Sequence, residues 1–344
     1  MDEQLLKKII NSAGVSGYEK ETAAIMQDEL KKSCRDVRID LFGNVIARKG
    51  KGTKKIMLAA HMDEIGLVVK HIAKDGYLSF IKIGGIDDKV LVGQRVIVKS
   101  KKGDCFGIIG IKPPHLTKEE EKNKPMKYED MFIDIGCSTK EDAEKKVAVA
   151  DAVIFEPNAG VLNGKLFYGK AIDNRIGCYC LLKIMEKLKV DAEVFAVATT
   201  QEEVGLKGAR TASFKLDPDF AIAIDTTCAG DTPHIRERES SLKLGGGAAI
   251  TIMEAGGRGI IVSEKIRDLF IETAKKSKIK YQVDILEGGM TDGAMIYMNR
   301  EGVLTGVLSI PTRYVHSPTG VFHTDDAQAV IDLCVKVVEN FVKS

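Results

Sequence analysis

The chain has 344 residues, 44% of them hydrophobic and 29% charged, the composition of a globular protein large enough for one big core or for two domains. Its 51 Lys and Arg stand against 49 Asp and Glu, and a formal charge of +2 excludes the basic footprint of a nucleic-acid binder. No apolar run approaches the ~18 residues needed to cross a bilayer.

The opening, MDEQLLKKIINSAG, is charged and amphipathic, unlike a secretory leader. The seven cysteines (Cys34, Cys105, Cys137, Cys178, Cys180, Cys228 and Cys334) are odd in number and mostly sit beside apolar runs. They read as reduced thiols, and the expected location is the cytoplasm. Leu5, Leu6, Ile9 and Ile10 fall at helical spacing; after a break at Ser16-Gly17, Ala23, Met26 and Leu30 mark a second helix. VRIDLFGNVIARKG predicts a hairpin about Gly43-Asn44.

From KKIMLAAH onward, apolar runs of strand length recur with helical patterns between them, over 174–188, 263–277 with Ser263 as N-cap, and 325–342. This alternation predicts an α/β fold, a mixed central sheet covered by helices on both faces. Residues 67–165 have another texture: short strands and Gly- or Asp-rich turns, with no convincing amphipathic helix ahead of the charged stretch LTKEEEKNKPMKYED. They read as a small β-barrel-like domain inserted into an α/β domain formed by residues 1–66 and 166–344. Thr117 to Asp130 has many charges and little to bury, so an exposed loop or short helix is expected, with partner binding as the less favoured reading.

Chemistry is concentrated where apolar runs end. KIMLAA ends in His61-Met62-Asp63, EVFAVATT in Gln201-Glu202-Glu203, FAIAI in Asp225, and GVLSI is followed closely by His316. In open α/β sheets the C-terminal ends of strands form the ligand-binding edge. Asp173, in YGKAIDNRIG, opens a helix after the inserted segment. Burying such groups without compensation costs several kcal/mol, and a metal centre supplies the compensation. His61, Asp173, Glu203, Asp225 and His316 are hard or borderline donors suited to zinc, cobalt or manganese. With one carboxylate bridging two ions, each ion keeps three protein ligands and an open position, the pattern of a catalytic site. Such a pair can share one hydroxide and polarise a carbonyl.

In extended chain Glu202 and Glu203 point opposite ways, so one can bind metal while the other serves as general base. Asp63 falls on the side of His61 and suits the orienting of a metal-bound imidazole. Against each assignment stands a plainer one, since acidic residues at strand ends are often helix caps or solvated. His323, beside TDD, reads as solvated; His71, His115 and His234 as surface or packing histidines; Arg175 as the ion-pair partner of a buried acid; Glu64 as the start of a strand. For Asp292, in GGMTDGA, substrate contact and turn formation are both open. Cys178 and Cys180 form a CxC whose members point to different faces of a helix, so they read as packing residues.

AAHMDEIG, GKAIDNRIG, TTQEEVGLKGA, AIDTT and IPTRYVHSP, in this order, resemble the tetrahedral, di-metal aminopeptidase family that includes glutamyl and deblocking aminopeptidases. The resemblance spans essentially the whole chain. It implies His61 and Asp225 on one ion, Glu203 and His316 on the other, Asp173 bridging, Glu202 as general base and Asp63 as its orienting acid. It further implies a non-proline cis peptide at Asp173-Asn174 and hollow dodecamers that admit unfolded peptides, with the inserted domain making dimer contacts. The chain departs from the family at Gly320, four positions after His316, where members often carry an acidic residue; the departure bears on the local loop and on substrate preference.

The expected activity is thus release of N-terminal residues from short peptides by a hydroxide shared between two divalent ions, zinc or cobalt, with Glu202 moving the proton. The alternatives are another amidohydrolase on this scaffold, such as a carboxypeptidase or deacylase, and an endoglucanase, the label of some relatives. Adjacent Glu202 and Glu203 and the absence of Trp weigh against the last. A non-enzymatic shell held together by metal is the reading outside enzymology.

Overall fold

A computed structural model describes residues 1–116 and 125–343. The chain opens with α1 (Glu3–Asn11), α2 (Lys20–Lys31), the hairpin β1 (Arg35–Ile39) and β2 (Val45–Lys49), then β3 (Lys55–His61). A second group follows: β4 (Gly66–Ile72), β5 (Leu78–Ile83), β6 (Arg95–Ser100), β7 (Gly103–Ile111), β8 (Met131–Asp134), α3 (Lys140–Lys146) and β9 (Ala152–Phe155). After it come β10 (Gly160–Asn163), β11 (Leu166–Gly169), α4 (Ile172–Lys187), β12 (Glu193–Thr199), α5 (Lys207–Leu216) and β13 (Phe220–Cys228). The chain ends through β14 (Ala248–Met253), α6 (Glu264–Ser277), β15 (Tyr281–Ile285), the single turn α7 (Gly293–Ile296), β16 (Leu304–Arg313), β17 (Gly320–His323) and α8 (Thr324–Lys343).

Eleven strands form one mixed sheet in the order β1-β2-β12-β3-β13-β16-β17-β11-β10, with β14 joining at β16 and β15 beside it. Its centre, β12-β3-β13-β16, is parallel throughout. Strand alternation sends Ile56, Leu58 and Ala60 of β3 into the larger core, which takes in α1, α2, α4, α6 and α8. Met57 and Ala59 point the other way, with Ala209 and Ala212 of α5 and Ile296 of α7. Both faces are covered, as the uninterrupted apolar runs predict. Parallel neighbours also bring the C-terminal ends of these four strands to one edge.

Strands β4-β5-β8-β7-β6-β9 close into a barrel with its own core, including Leu67, Leu78, Val96, Val98, Ile133 and Phe155. Closure removes exposed strand edges. Helix α3 is absent from the sequence reading, although Thr139 carries a cap signature; its hydroxyl accepts from Asp142 N. Of the charged stretch, 117–124 lies outside the described residues, while Tyr128–Asp130 is a 3-10 turn whose Tyr128 N donates to Asp88 at 3.0 Å. Among the described residues no helix is long and apolar enough to cross a membrane.

Candidate metal centre

The parallel edge gathers all seven residues singled out for the site. His61 terminates β3 and is 2% exposed, Asp225 lies inside β13, Glu202 and Glu203 follow β12, and His316 follows β16. Asp173 enters from the start of α4, after Ala171 in the left-handed region at φ 49°. The Asp173-Asn174 bond is cis, as the family resemblance implies. Asn174 Nδ2 donates to Ile224 O at 2.8 Å, stitching the residue after Asp173 to the one before Asp225.

Asp173 stands between the imidazoles. Its Oδ1 is 3.2 Å from His61 Nε2 and its Oδ2 3.5 Å from His316 Nε2. Asp225 Oδ1 is 3.6 Å from the first ring nitrogen, and Glu203 Oε2 is 3.4 Å from the second. Donor atoms of His61, Asp173 and Asp225 lie within 4.8 Å of one another, and so do those of Asp173, Glu203 and His316. Glu202 Oε2 is 4.0 Å from His61 Nε2 and belongs to neither triad.

The supports differ for the two rings. His316 Nδ1 lies 2.9 Å from Gly85 O. A carbonyl can only accept, so Nδ1 donates its proton there and Nε2 is the ring atom left facing Asp173 and Glu203. His61 Nδ1 is 3.4 Å from Asp63 Oδ1 but makes no hydrogen bond. Asp63 instead accepts from Ser16 Oγ (2.6 Å), Glu202 N (3.0 Å) and Glu203 N (3.2 Å), fixing the backbone from which both glutamates project.

Glu64 proves to be more than the start of a strand. Buried with Lys170 and Arg175, it takes Lys170 Nζ at 2.7 Å and Arg175 Nη2 at 3.3 Å. Arg175 is thus the partner of a buried acid, and the cluster ties the end of β3 to the start of α4. Burial, only partly offset by Glu64, pushes Lys170 down to about 8. Asp292 is a turn residue: its carbonyl accepts from Met295 N and Ile296 N, and its buried carboxylate takes the Thr199 hydroxyl. His323 receives the Asp325 N–H at the start of α8, 3.2 Å away. Cys178 and Cys180 are buried on α4; burial pushes the Cys178 thiol up to about 12, and neither joins a ligand group. Gly320 pairs with Gly169, and a Cβ there would stand 3.1 Å from Ile172 Cβ. The departure at this position therefore accompanies close packing of β17 on the start of α4.

Burial is the largest influence on the acids. It raises Glu202 well above the carboxylate range, opposed by His61 and reinforced by Asp225 and Asp292. Burial and then Asp173 raise Glu203 in the same way. For Asp173 burial is overcome by the bond and charge of His61, and for Asp63 by nearby His61 together with the Ser16 hydroxyl and the Glu202 amide, and both are lowered. His61 itself is pushed down by burial yet raised well above its ordinary value by Glu202, Asp225 and Asp173. So many carboxylates beside two imidazoles, with Glu203 Oε1 buried and unpartnered, form an environment short of positive charge. The donor types and this deficit fit divalent cations.

The cluster floors a cavity of about 480 Å³ whose walls include Leu206, Cys228, Leu286, Met290 and Val315. Gly85, Lys170 and Thr199 are the contributors that sequence reading passes over. Lys170 lies within GKAIDNRIG, where a buried amine beside Arg175 implies a buried acid; nothing local marks Gly85, which arrives from the β5–β6 loop.

A mixed sheet with a closed barrel beside it, bearing a histidine and carboxylate cluster at its parallel edge, is an architecture shared with peptidases, hydrolases that act on peptide bonds. The chain belongs to the M42 glutamyl aminopeptidase family, whose description matches residues 43–333. It is 38% identical to the lysyl aminopeptidase of Pyrococcus furiosus over 344 aligned positions, covering 98% of this chain and 97% of the relative. An aminopeptidase of Desulfurococcus kamchatkensis shares 39% identity and superimposes with a TM-score of 0.93 over 98% and 94% of the two chains. The TET1 peptidase of Pyrococcus horikoshii, which can assemble into a tetrahedron or a large octahedral shell, shares 33% identity with a TM-score of 0.88 over 98% of each chain.

Proposed function

We propose that the protein is a metal-dependent aminopeptidase that removes N-terminal residues from short peptides. The observation that carries this reading is Asp173 set between two imidazoles, one carboxylate oxygen toward each. His61 and Asp225 would hold one divalent cation, Glu203 and His316 a second, and Asp173 would be shared; zinc and cobalt both suit the donors. When bound, the cations supply Lewis acidity toward the scissile carbonyl and lower the pKa of water.

Glu202 is near His61 yet outside both triads, the position of a group that moves protons. Its carboxylate takes a proton from the attacking water and returns it to the departing amine nitrogen. Asp63 holds the Glu202 and Glu203 amides, so one residue stays on the ligand side while its neighbour faces the substrate. The acidic floor draws the substrate's terminal ammonium group, which confines cleavage to chain ends.

Assembly into a closed dodecameric shell, with residues 67–165 contributing dimer contacts, belongs to the same proposal and is supported by the likeness to a shell-forming peptidase. A cytoplasmic location fits the seven free thiols. The test sets aminoacyl anilides beside N-acyl amino acids and a soluble cellulose derivative. Cleavage of the anilides alone, lost to a chelator and regained with zinc or cobalt, is expected. Glu202→Gln should keep its metal and lose most of its kcat. Turnover of N-acyl amino acids alone would instead make this a deacylase or carboxypeptidase.

A further inference from the structure

Charge is confined to one side of the cavity. Its floor holds His61, Asp173, Glu202, Glu203, Asp225 and His316, whereas every other lining residue among the described ones is uncharged, with no Lys or Arg among them. The apolar groups are Leu206, Cys228, Leu286, Met290 and Val315. They come from separate segments, so they form a wall rather than a stripe of one element.

The wall is pinned. Next to Met290, Thr291 donates its N–H and hydroxyl to Glu254 at 3.1 and 2.6 Å, and Glu254 is fully buried. Leu286 N donates to Met253 O at 2.9 Å, fixing the other end of the same loop. Between these anchors the chain passes through Gly288 and Gly289, the latter at φ 83°, which turns Met290 back toward the cavity.

A substrate side chain entering here leaves water beside thioether, thiol and aliphatic carbon. A carboxylate against that wall would be desolvated without a cationic side chain to receive it, at a cost of several kcal/mol. A lysine ammonium would lose its water with no carboxylate on the wall to receive it. An aliphatic chain gains about 0.8 kcal/mol for each methylene buried.

Resting on the aminopeptidase reading, we propose that this wall is the specificity pocket for the substrate's N-terminal side chain and that it selects apolar, flexible residues such as leucine and methionine over glutamate and lysine. Met290 and Leu286 contribute most of the selectivity. Their partial exposure leaves them replaceable without loss of the core.

The test measures kcat/KM of the zinc- or cobalt-loaded protein on leucyl, methionyl, alanyl, glutamyl and lysyl 4-nitroanilides. The leucyl and methionyl substrates should exceed the glutamyl and lysyl ones at least tenfold, and Met290→Arg should raise the glutamyl-to-leucyl ratio at least tenfold. A readout independent of turnover uses Cys228, which is exposed on the wall. Its alkylation by N-ethylmaleimide, followed by peptide mass mapping, should be slowed by leucinol and left unchanged by glutamate.

Fastest cleavage of the glutamyl or lysyl anilide, or an unchanged ratio in Met290→Arg, overturns the inference while leaving an aminopeptidase. If no anilide is cleaved the aminopeptidase reading fails, and Cys228 protection still judges the wall: protection by leucinol supports it as an apolar pocket, and no protection overturns it.

Discussion

His316 places its Nδ1 2.9 Å from the carbonyl oxygen of Gly85, so the loop between β5 and β6 orients the ring whose Nε2 faces Asp173 and Glu203. The barrel is therefore joined to the chemical centre. A Cβ at Gly85 would stand 2.8 Å from that same Nδ1, and the backbone of Gly85 is not in the left-handed region, so alanine there meets the ring without straining the chain. Gly85→Ala should lower kcat/KM by roughly 10–100-fold, the range for disturbed partners of metal ligands. Metal retention after dialysis should weaken alongside, while the urea midpoint changes little. Unchanged activity and metal content would show that the ring tolerates displacement.

Asp63 makes its hydrogen bonds to Ser16 and to the Glu202 and Glu203 amides rather than to His61. An asparagine has one acceptor oxygen, and its NH2 would face a donor on one side or the other. Asp63→Asn should cost about 1–3 kcal/mol of stability through an unsatisfied donor. It should also lower kcat by roughly 10–100-fold. KM and metal content should be nearly unchanged, because no donor atom of the two triads is removed. Titrating the variant with zinc while following turnover separates loss of metal from loss of glutamate placement.

The fold and the clustering of the candidate site were legible for the same reason: each central strand is a short apolar run, and polar groups begin where it stops. FAIAI followed by Asp225 and KIMLAA followed by His61 announce both the buried strand and the edge. Helix α5 was not read because Lys207–Leu216 carries small and polar residues, its apolar face consisting mostly of Ala209, Ala212 and Leu216. Spacing places Asp63 beside His61 but cannot show that the turn after β12 brings two amides to the same carboxylate. His316 at φ 59° and Gln201 at φ 54° lie in left-handed turns that no glycine or asparagine marks.

The Glu64, Lys170 and Arg175 cluster predicts a stability effect apart from chemistry. Glu64→Gln leaves two buried cations without their carboxylate, and breaking a buried pair this way costs about 3–5 kcal/mol. Urea unfolding at pH 7 should show that loss. Glu64 holds the Lys170 amine up at about 8, so in the variant that amine sheds its proton at lower pH, and the deficit should shrink as pH rises toward 8 and stay level above it. Combining Glu64→Gln with Lys170→Met should recover part of the loss at pH 7. A deficit unaffected by pH and by the second substitution would locate the cost in packing.

Asp292 predicts a pH dependence of the opposite sense. Burial raises its carboxyl from 3.8 to about 7, with His61 opposing and Asp225 adding to the rise. One oxygen takes the Thr199 hydroxyl and the other has no partner. Between about pH 4 and 7 the folded chain keeps a proton that the unfolded chain has released. The contribution of Asp292 to stability is therefore fully present below about pH 4 and is lost as pH rises to 7. A shift of this size corresponds to about 4 kcal/mol. Asp292→Asn keeps the shape and an acceptor for Thr199 while removing the titration. In protein stripped of metal, the variant should gain on the wild type steadily between pH 4.5 and 7.5, by up to about 4 kcal/mol in urea unfolding. Divalent cations added at pH 7.5 should narrow the gap, because positive charge at the neighbouring carboxylates eases the ionisation of Asp292. A difference constant across that pH range would mean that Asp292 stays ionised in the folded chain, held by Thr199 despite its burial.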